Sequence, residues 1–342
     1  MRIALVSDAW LPQVNGVVRT LTTVAREAAA LGHDVRPITP DRFRTLPCPT
    51  YPEIRLALLP GRAVKRLIDD AAPDAIHIAT EGPLGIAARR HCLRRGLAFT
   101  TSFHTRFPEY VAARFGVPVR LTYAWLRHFH APASGVMVAA PTIRRELAAR
   151  GFTNIRPWSR GVDAELFEPL PRTDWPGMPR PIFLMVSRVA IEKNIAAFLE
   201  LDLPGSKMVV GDGPQLAEMK RRFPGVHFMG RHEGRELSRY YAAADVFVFP
   251  SLTDTFGLVL LEALASGVPV AAFPVTGPLD VIGNAPVGRL DTDLRRAALD
   301  CLAISREACR AHALKFTWRA TAQQFLANLV PARGHGAYAM AS

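Results

Sequence analysis

Asp254 and Glu262 stand eight positions apart in the run VFVFPSLTDTFGLVLLEALASGVPV at 246–270. Residues 246–249 read as a β-branched and aromatic strand closed by Pro250. Five mostly polar residues follow, then an apolar helix from about Gly257 to Ser266 and Gly267, and a further strand at 268–273. A carboxylate inside an otherwise apolar helix is costly to bury unless it is paired or hydrogen-bonded, so a polar group is expected to meet Glu262. The open amides of a helix starting near Gly257 favour an anion, and a glycine there lets a ligand approach the backbone. Phosphate, sugar hydroxyls and ribose suit such a corner. Taken singly, Asp254 also reads as a helix N-terminal charge and Glu262 as a residue on a solvated edge.

Other residues could serve the same guest. Arg188 and Lys193, five positions apart, lie on the loop after an expected strand at 181–186. The Arg fork and the Lys point charge could neutralise a diphosphate, although exposed loop cations are usually only solvated. Gly211 and Gly213 form a tight Gly-Asp-Gly-Pro turn after a strand at 207–210. His104 ends a strand at 99–103, on the edge where open α/β sheets bind ligands, though a neutral His serves equally as a structural hydrogen-bonding group. Near the start, a strand at 3–7 and a loop lead to Asn15 and Gly16, then to a helix with Val17, Leu21, Val24, Ala28 and Leu31 on one stripe. Gly16 reads as a turn glycine or as unhindered backbone where a diphosphate could sit, and the GxGxxG dinucleotide fingerprint is absent.

From Gly16 to Asp280, the order of these motifs resembles the family-four retaining glycosyltransferases. The resemblance implies an α/β chain with two Rossmann-like domains facing a central cleft, the B-type glycosyltransferase fold, and a C-terminal helix packing back on the first domain. It puts the donor ribose on Glu262 and the donor sugar beside Asp254 and His104. The backbone of Thr255, Phe256, Gly257 and Leu258 would hold sugar and phosphate, Arg188 and Lys193 the diphosphate, and the Gly16 loop its phosphates. Gly211 and Gly213 join the donor site, with the base along the neighbouring strand ends. The family usually has Glu where this chain has Asp254, one methylene shorter. No Asp-x-Asp metal motif is recognised, so no metal or other cofactor is expected, and Arg188, Lys193 and helix amides replace a divalent ion. The look is nearest to bacterial diacylglycerol glycosyltransferases, sulfoquinovosyl lipid synthases and related α-mannosyltransferases. It implies transfer of a hexosyl or hexuronosyl unit, from a UDP-linked donor, to a membrane lipid such as diacylglycerol. The alternatives are a GDP-mannose-dependent α-mannosyltransferase acting on a saccharide or lipid-linked acceptor, and a nucleotide-sugar epimerase.

These residues need a scaffold, and 342 residues, 49% hydrophobic and 21% charged, suffice for two globular domains. The expected division is an acceptor-binding domain at 1–168, a nucleotide-sugar-binding domain at 169–316, and a returning helix with a frayed tail at 317–342. The break rests on five prolines within 169–181, just after the Arg160-Gly161-Val162-Asp163 segment, which resembles the family's turn between domains. Four scattered cysteines, without CxxC or metal-ligand spacing, are expected to be reduced thiols without zinc. No apolar run reaches about 18 residues, and Asp8 comes too early for a secretory leader. A cytoplasmic protein, peripheral on the inner face of the membrane, is therefore expected.

Net charge is +12, and residues 1–168 hold 23 Lys and Arg against 14 acids. Such an excess suits an anionic lipid surface, and no nucleic-acid reading module accompanies it. The stretch from Arg89 to Arg150 has 11 arginines and two acids, Glu109 and Glu146. Within it, a helix opened by Pro118 would carry Leu121, Trp125 and Phe129 on one face with Arg120, Tyr123 and Arg127 around them. Aromatics beside cations suit a membrane interface, while burial of that face against the core is the other outcome.

Overall fold

The structure, a computed structural model, describes residues 1–13, 15–48, 51–109, 116–171, 175 and 177–332. The chain divides into two compact units, Met1–Ser159 together with the chain from Trp318, and Arg160–Thr317. The break thus falls nine residues before the expected 168/169, ahead of the proline-rich segment rather than at it.

In the first unit the strands are β1 (Arg2–Val6), β2 (Asp34–Ile38), β3 (Thr45–Cys48), β4 (Tyr51–Ala57), β5 (Ala75–Ile78), β6 (Thr100–Phe103), β7 (Gly135–Val138) and β8 (Ile155–Pro157). Six of them form a sheet of order β2-β1-β5-β6-β7-β8, parallel throughout, and β3 and β4 make a separate antiparallel hairpin. Strands such as β5 and β7 are buried along their whole length because helices cover both faces of a parallel sheet. Helix Gly16–Ala30 connects β1 to β2 and turns Val18, Leu21, Val24 and Ala28 inward, the spacing of one helical face. Ala4, Val6, Ile76, Ile78, Leu84, Ala88 and Phe129 form one core of this unit.

The loops after β1 and β5 meet through a single carboxylate. Asp8 Oδ1 accepts the Leu84 amide at 2.9 Å, while Oδ2 accepts the Thr80 hydroxyl at 2.9 Å and the Gly85 amide at 3.3 Å. Asp8 therefore fills the N-terminal end of helix Pro83–Arg95 with the chain's own anion. Burial raises its pKa, and those donors pull it back down.

Helix Trp318–Asn328 packs on helix Gly16–Ala30, and both lie in the first unit. Ala332, inside the 317–342 segment expected to end in a frayed tail, is 2% exposed. Its amide donates to Asp74 O at 2.7 Å and its carbonyl accepts the Ala98 amide at 2.9 Å. Residues 333–342 lie outside the described residues.

In the second unit the strands are β9 (Ile182–Val186), β10 (Ser206–Val210), β11 (His227–Gly230), β12 (Val246–Phe249), β13 (Val270–Ala272) and β14 (Gly288–Leu290). Their order, β11-β10-β9-β12-β13-β14 and all parallel, is the doubly wound Rossmann arrangement. Phe183, Met185, Val209, Val246, Val248, Phe198 and Leu199 fill its core. The strand order reverses between β9 and β12, so the crevice beyond the carboxyl ends of these two strands is where such a sheet binds a ligand.

Several elements differ from expectation. The alternating basic and apolar residues at 42–68 cover the β3–β4 hairpin and helix Gly61–Ala71. Strands β7, β8 and β14 are short and carry little alternation, which hides them in the sequence. Helix Val119–His130 starts where expected, but Tyr123 and Phe129 are buried. Only Leu121 and Trp125, at 56% and 40% exposure, remain of the proposed aromatic face. Cys92, Cys301 and Cys309 are free and buried, and desolvation pushes their thiols up to about 12.

Replacing Asp8 with Ala strands the Leu84 and Gly85 amides without their partner. We expect a loss of about 2 kcal/mol, read as a lower denaturant midpoint of the first unit. An unchanged midpoint would show that the loops after β1 and β5 do not depend on this contact.

Candidate functional site

The crevice beyond β9 and β12 is built from two loops tied together. Lys193 ends the short 3-10 turn Ile191–Lys193 after β9, and its Nζ donates to Asp254 Oδ1 at 2.5 Å. Both side chains are about four-fifths buried, at 21% and 19% exposure, so the pair is only partly screened by water. Neighbouring bonds hold the same two loops. Asn194 Nδ2 donates to Pro250 O at 3.0 Å, and the hydroxyls of Ser251 and Thr253 reach Glu192 O at 3.4 and 3.3 Å. Asn194 takes a left-handed backbone with φ of 50°, which Asn tolerates better than most side chains. Arg188 lies two residues beyond the end of β9 and is half-buried on this edge.

Asp254 Oδ2 is buried with no hydrogen-bond partner among the described residues. A buried acceptor left open costs free energy unless a guest completes it. Beyond it, Thr255 and Phe256 lead to Gly257, whose φ of +82° is the left-handed region that glycine enters without strain. Gly257, which has no side chain to cap with, occupies the N-cap of helix Leu258–Ala265. The first-turn amides of that helix lie at the edge that carries Lys193 and Arg188, where an anion would be favoured.

Glu262 is 2% exposed, and the polar group it was expected to need is the Tyr241 hydroxyl, which donates to Oε2 at 2.9 Å. The solvated-edge alternative for Glu262 is therefore excluded. Tyr241 sits on helix Gly234–Ala243 and is itself walled by Phe167 and Phe247, with ring centroids 5.6 and 5.7 Å away.

Gly211 and Gly213 have a packing reason. A Cβ at Gly211 would lie 1.8 Å from Ser187 O, and one at Gly213 would lie 2.4 Å from Val189 O. The Gly-Asp-Gly turn therefore presses against the segment that carries Arg188, and the Val189 amide donates to Asp212 O at 2.9 Å. These glycines shape the loop of a cation rather than only leaving room for a ligand.

Two candidates lie in the first unit. Gly16 opens helix Gly16–Ala30, where Asn15 Oδ1 accepts the amides of Val17 and Val18, both at 3.0 Å. Those two amides are capped by the chain itself. His104 follows β6 directly and is half-buried, its ring edge-on to Trp158 at 5.6 Å between centroids and an interplanar angle of 68°.

The sequence reading passed over two features. Asp291-Thr292-Asp293 has the Asp-x-Asp pattern, but Asp293 Oδ1 caps a helix by accepting the Arg296 amide at 3.0 Å, and Asp291 Oδ1 accepts the Asp293 amide at 2.9 Å. No three His, Cys, Asp or Glu side chains among the described residues group to hold a metal ion. Arg160 is 4% exposed, and desolvation lowers its guanidinium to about 9, a burial that its turn-like neighbours did not signal.

Replacing Tyr241 with Phe removes a hydrogen bond to a buried carboxylate. We expect about 2 kcal/mol of destabilisation of the second unit, measured by denaturant unfolding. A neutral result would mean that Glu262 does not need this donor.

Residues 14–166 match the family model described as Glycosyltransferase Family 4, and residues 180–302 match Glycosyl transferases group 1. The chain is 31% identical over 308 residues to a GDP-mannose-dependent alpha-mannosyltransferase of Mycobacterium tuberculosis, covering 82% of this chain and 81% of the other. It is 30% identical to the sulfoquinovosyl transferase SQD2 of Arabidopsis thaliana over 370 residues, 93% of this chain and 71% of that protein. An alpha-monoglucosyldiacylglycerol synthase of Acholeplasma laidlawii is 28% identical over 320 residues, 79% of each chain. Among solved structures, a sucrose-phosphate synthase from Thermosynechococcus elongatus superposes with a TM-score of 0.73 at 21% identity, covering 95% of this chain and 97% of that one. With two parallel doubly wound units of the B-type fold and a relative above 30% identity across four-fifths of its length, this chain belongs to glycosyltransferase family 4.

Proposed function

We propose that this glycosyltransferase moves a hexosyl unit from a nucleoside diphosphate sugar to a hydroxyl of a membrane lipid, with retention at the anomeric carbon and without a divalent ion. The observation that carries the donor half is the Lys193–Asp254 pair at the point where β9 and β12 part, with Arg188 on the same loop. The difficult event is departure of a diphosphate. The bond from the anomeric carbon to phosphate oxygen breaks, the electron pair leaves with the oxygen, and positive charge builds on the sugar. Preorganised cations stabilise the leaving group without reorganising at the moment of reaction.

Lys193 keeps Asp254 with one of its N–H donors, and in this reading its ammonium also draws phosphate oxygens as a point charge. Arg188 adds a two-pronged donor, and the first-turn amides of helix Leu258–Ala265 supply neutral ones. In this reading the open Oδ2 of Asp254 accepts a hydroxyl of the sugar, and Glu262, steadied by Tyr241, accepts a ribose hydroxyl. The acceptor oxygen bonds to the carbon on the face the diphosphate leaves, and its proton passes to the departing phosphate oxygen.

The donor is read as GDP-mannose or UDP-glucose. Identity of 31% to a GDP-mannose-dependent enzyme favours the first over the UDP-linked donor expected above. The lipid acceptor is supported by the diacylglycerol product in the name of the Acholeplasma relative and by the exposed face of helix Val119–His130. Leu121 and Trp125 project there beside Arg120. The two acids of this arginine-rich stretch are already engaged. Glu109 accepts the Tyr123 hydroxyl at 2.9 Å, and Glu146 holds Arg106 at 2.7 Å and Arg150 at 3.0 Å. No helix among the described residues is long and apolar enough to cross a membrane.

A screen of both donors against diacylglycerol, phosphatidylinositol and free sugars tests the reading. Product that forms without any acceptor would instead mark an epimerase. With the active pair in hand, Lys193→Ala is expected to lose at least about tenfold in turnover, as for one charge-assisted contact, while EDTA leaves the wild type unchanged. Strict dependence on added divalent ions would defeat the metal-free clamp.

Vesicles carrying anionic lipid should sediment the protein at low salt and release it as salt rises. Arg120→Glu together with Trp125→Ala should weaken that binding, since each cation near such a surface contributes about 1 kcal/mol. Indifference to anionic vesicles, with transfer only to soluble sugars, would remove the lipid acceptor and leave the family assignment intact.

A further inference from the structure

We propose that the β3–β4 hairpin and the first turns of helix Gly61–Ala71 form a membrane-docking edge, which sets Leu58 and Leu59 among the headgroups of an anionic lipid surface. This goes beyond the acceptor reading above, since docking needs only the surface and no lipid substrate. The edge lies wholly within the first unit. Cross-strand register decides which way its side chains face. Thr45 stands opposite Ala57 and Leu46 opposite Leu56, and the Leu58 amide donates to Arg44 O at 2.8 Å. Side chains alternate along a strand, so Arg44, Leu46, Leu56 and Leu58 share one face, with Thr45 and Ala57 on the other. Ala57 is buried in the core of the unit. The leucine face is therefore the outer one, and Leu46 and Leu58 are 56% and 46% exposed.

An antiparallel hairpin with one face on the core normally turns polar residues to water. This one is inverted. The connection from β4 to helix Gly61–Ala71 is Leu58, Leu59 and Pro60, and it carries the inversion further. Leu59 is 97% exposed, and its φ of 45° lies in the left-handed region, where a bulky side chain is unfavourable. Gly, Asn or Asp usually fills such a position in a connection. A leucine held there in water, against both its backbone preference and its solvation, is the kind of strain that gathers at functional sites.

Cations surround these leucines. Residues 42–68 contain six Lys and Arg against one acid, Glu53. Arg44 shares the leucine face, while Arg62, Lys65 and Arg66 are exposed on the helix whose other side buries Val64 and Ile68. Arg66 pairs with Asp70 at 3.4 Å, whereas Arg44, Arg62 and Lys65 make no ion pair among the described residues. Protein interfaces are anchored by Trp, Tyr and Arg in packed pockets, and leucine is under-represented at such anchors. Aliphatic side chains beside cations match acyl chains beneath anionic headgroups, where charge attracts the protein and buried methylenes hold it. Charge complementarity thus selects a lipid surface as the occupant.

The test is partition of the full chain onto vesicles of phosphatidylglycerol and phosphatidylcholine in equal parts, read by co-sedimentation. Leu58→Ser together with Leu59→Ser should weaken partition at least about tenfold, the effect of withdrawing two aliphatic side chains from lipid. Arg62→Glu together with Lys65→Glu should weaken it by a similar factor at low salt and by less at high salt. Leu59→Gly separates docking from folding. Glycine adopts the left-handed backbone freely, so this variant should melt no lower than the wild type while binding vesicles less well. Unchanged partition in the leucine variants would overturn the edge, and loss only in Arg120→Glu with Trp125→Ala would leave docking to helix Val119–His130. Self-association that needs these leucines, with vesicle binding untouched, would assign the face to a second copy and overturn it equally. Leucine-dependent vesicle binding by an enzyme that glycosylates only soluble sugars would uphold the edge and remove the lipid acceptor alone.

Discussion

One ion pair joins the two loops on which the proposed donor chemistry depends. Lys193 and Asp254 close the gap beyond β9 and β12, and three further hydrogen bonds between the loops keep the pair in register. Removing one partner of a fully buried pair costs about 3–5 kcal/mol, because the other charge is left unpaired. Here both side chains keep about a fifth of their surface in water, so the cost is smaller and the pair stays responsive to an arriving anion. The shorter acid suits this arrangement: Asp254 ends on the ammonium with one oxygen and leaves the other open. Behind the pair, the Gly211 and Gly213 backbone packs directly on Ser187 and Val189, which sets the loop that carries Arg188.

The two units use the same sheet logic with opposite electrostatics. Each parallel sheet has a point where the chain leaves in two directions, and backbone amides at the following helices make that point receptive to an anion. In the first unit the amides of Leu84 and Gly85 are taken by Asp8, and those of Val17 and Val18 by Asn15. Self-capping leaves those helix starts less receptive to a second anion. In the second unit a glycine holds the N-cap of helix Leu258–Ala265, and Lys193 and Arg188 come to the same edge. That difference in charge is what favours the second unit in the proposed seating of a nucleoside diphosphate.

The basic excess of the first half is shaped by local pairing. Glu109 and Glu146, the two acids in 11 arginines' worth of chain, are drawn into a cluster with Arg106, Tyr123 and Arg150, and the Arg150 guanidinium lies 4.0 Å over the Tyr123 ring. Tyr123 is consumed by that cluster and Phe129 by the core, which is why the exposed face keeps only Leu121 and Trp125.

Strands β1, β6, β9, β10, β12 and β13 were legible where branched and apolar residues clustered between turn signals, since fully buried parallel strands demand continuous apolar runs. The acidic pair, the Arg188–Lys193 spacing and the glycines were legible as well, because few apolar helices tolerate a Glu without a purpose. Sequence alone showed that Glu262 needs a partner; only the fold named it as Tyr241, 21 positions away on another helix. Short strands such as β8 and β14 have too few residues to show a period. The pairing of Lys193 with Asp254, the capture of Asp8, and the hold of helix Trp318–Asn328 on Trp158 join residues 61 to 163 positions or more apart. Local pattern determined which residues are apolar, charged or turn-forming, and hence the elements. Which charge meets which, and which aromatic walls which imidazole, was decided by strand order in the folded sheet, because that order alone brings distant loops to one edge.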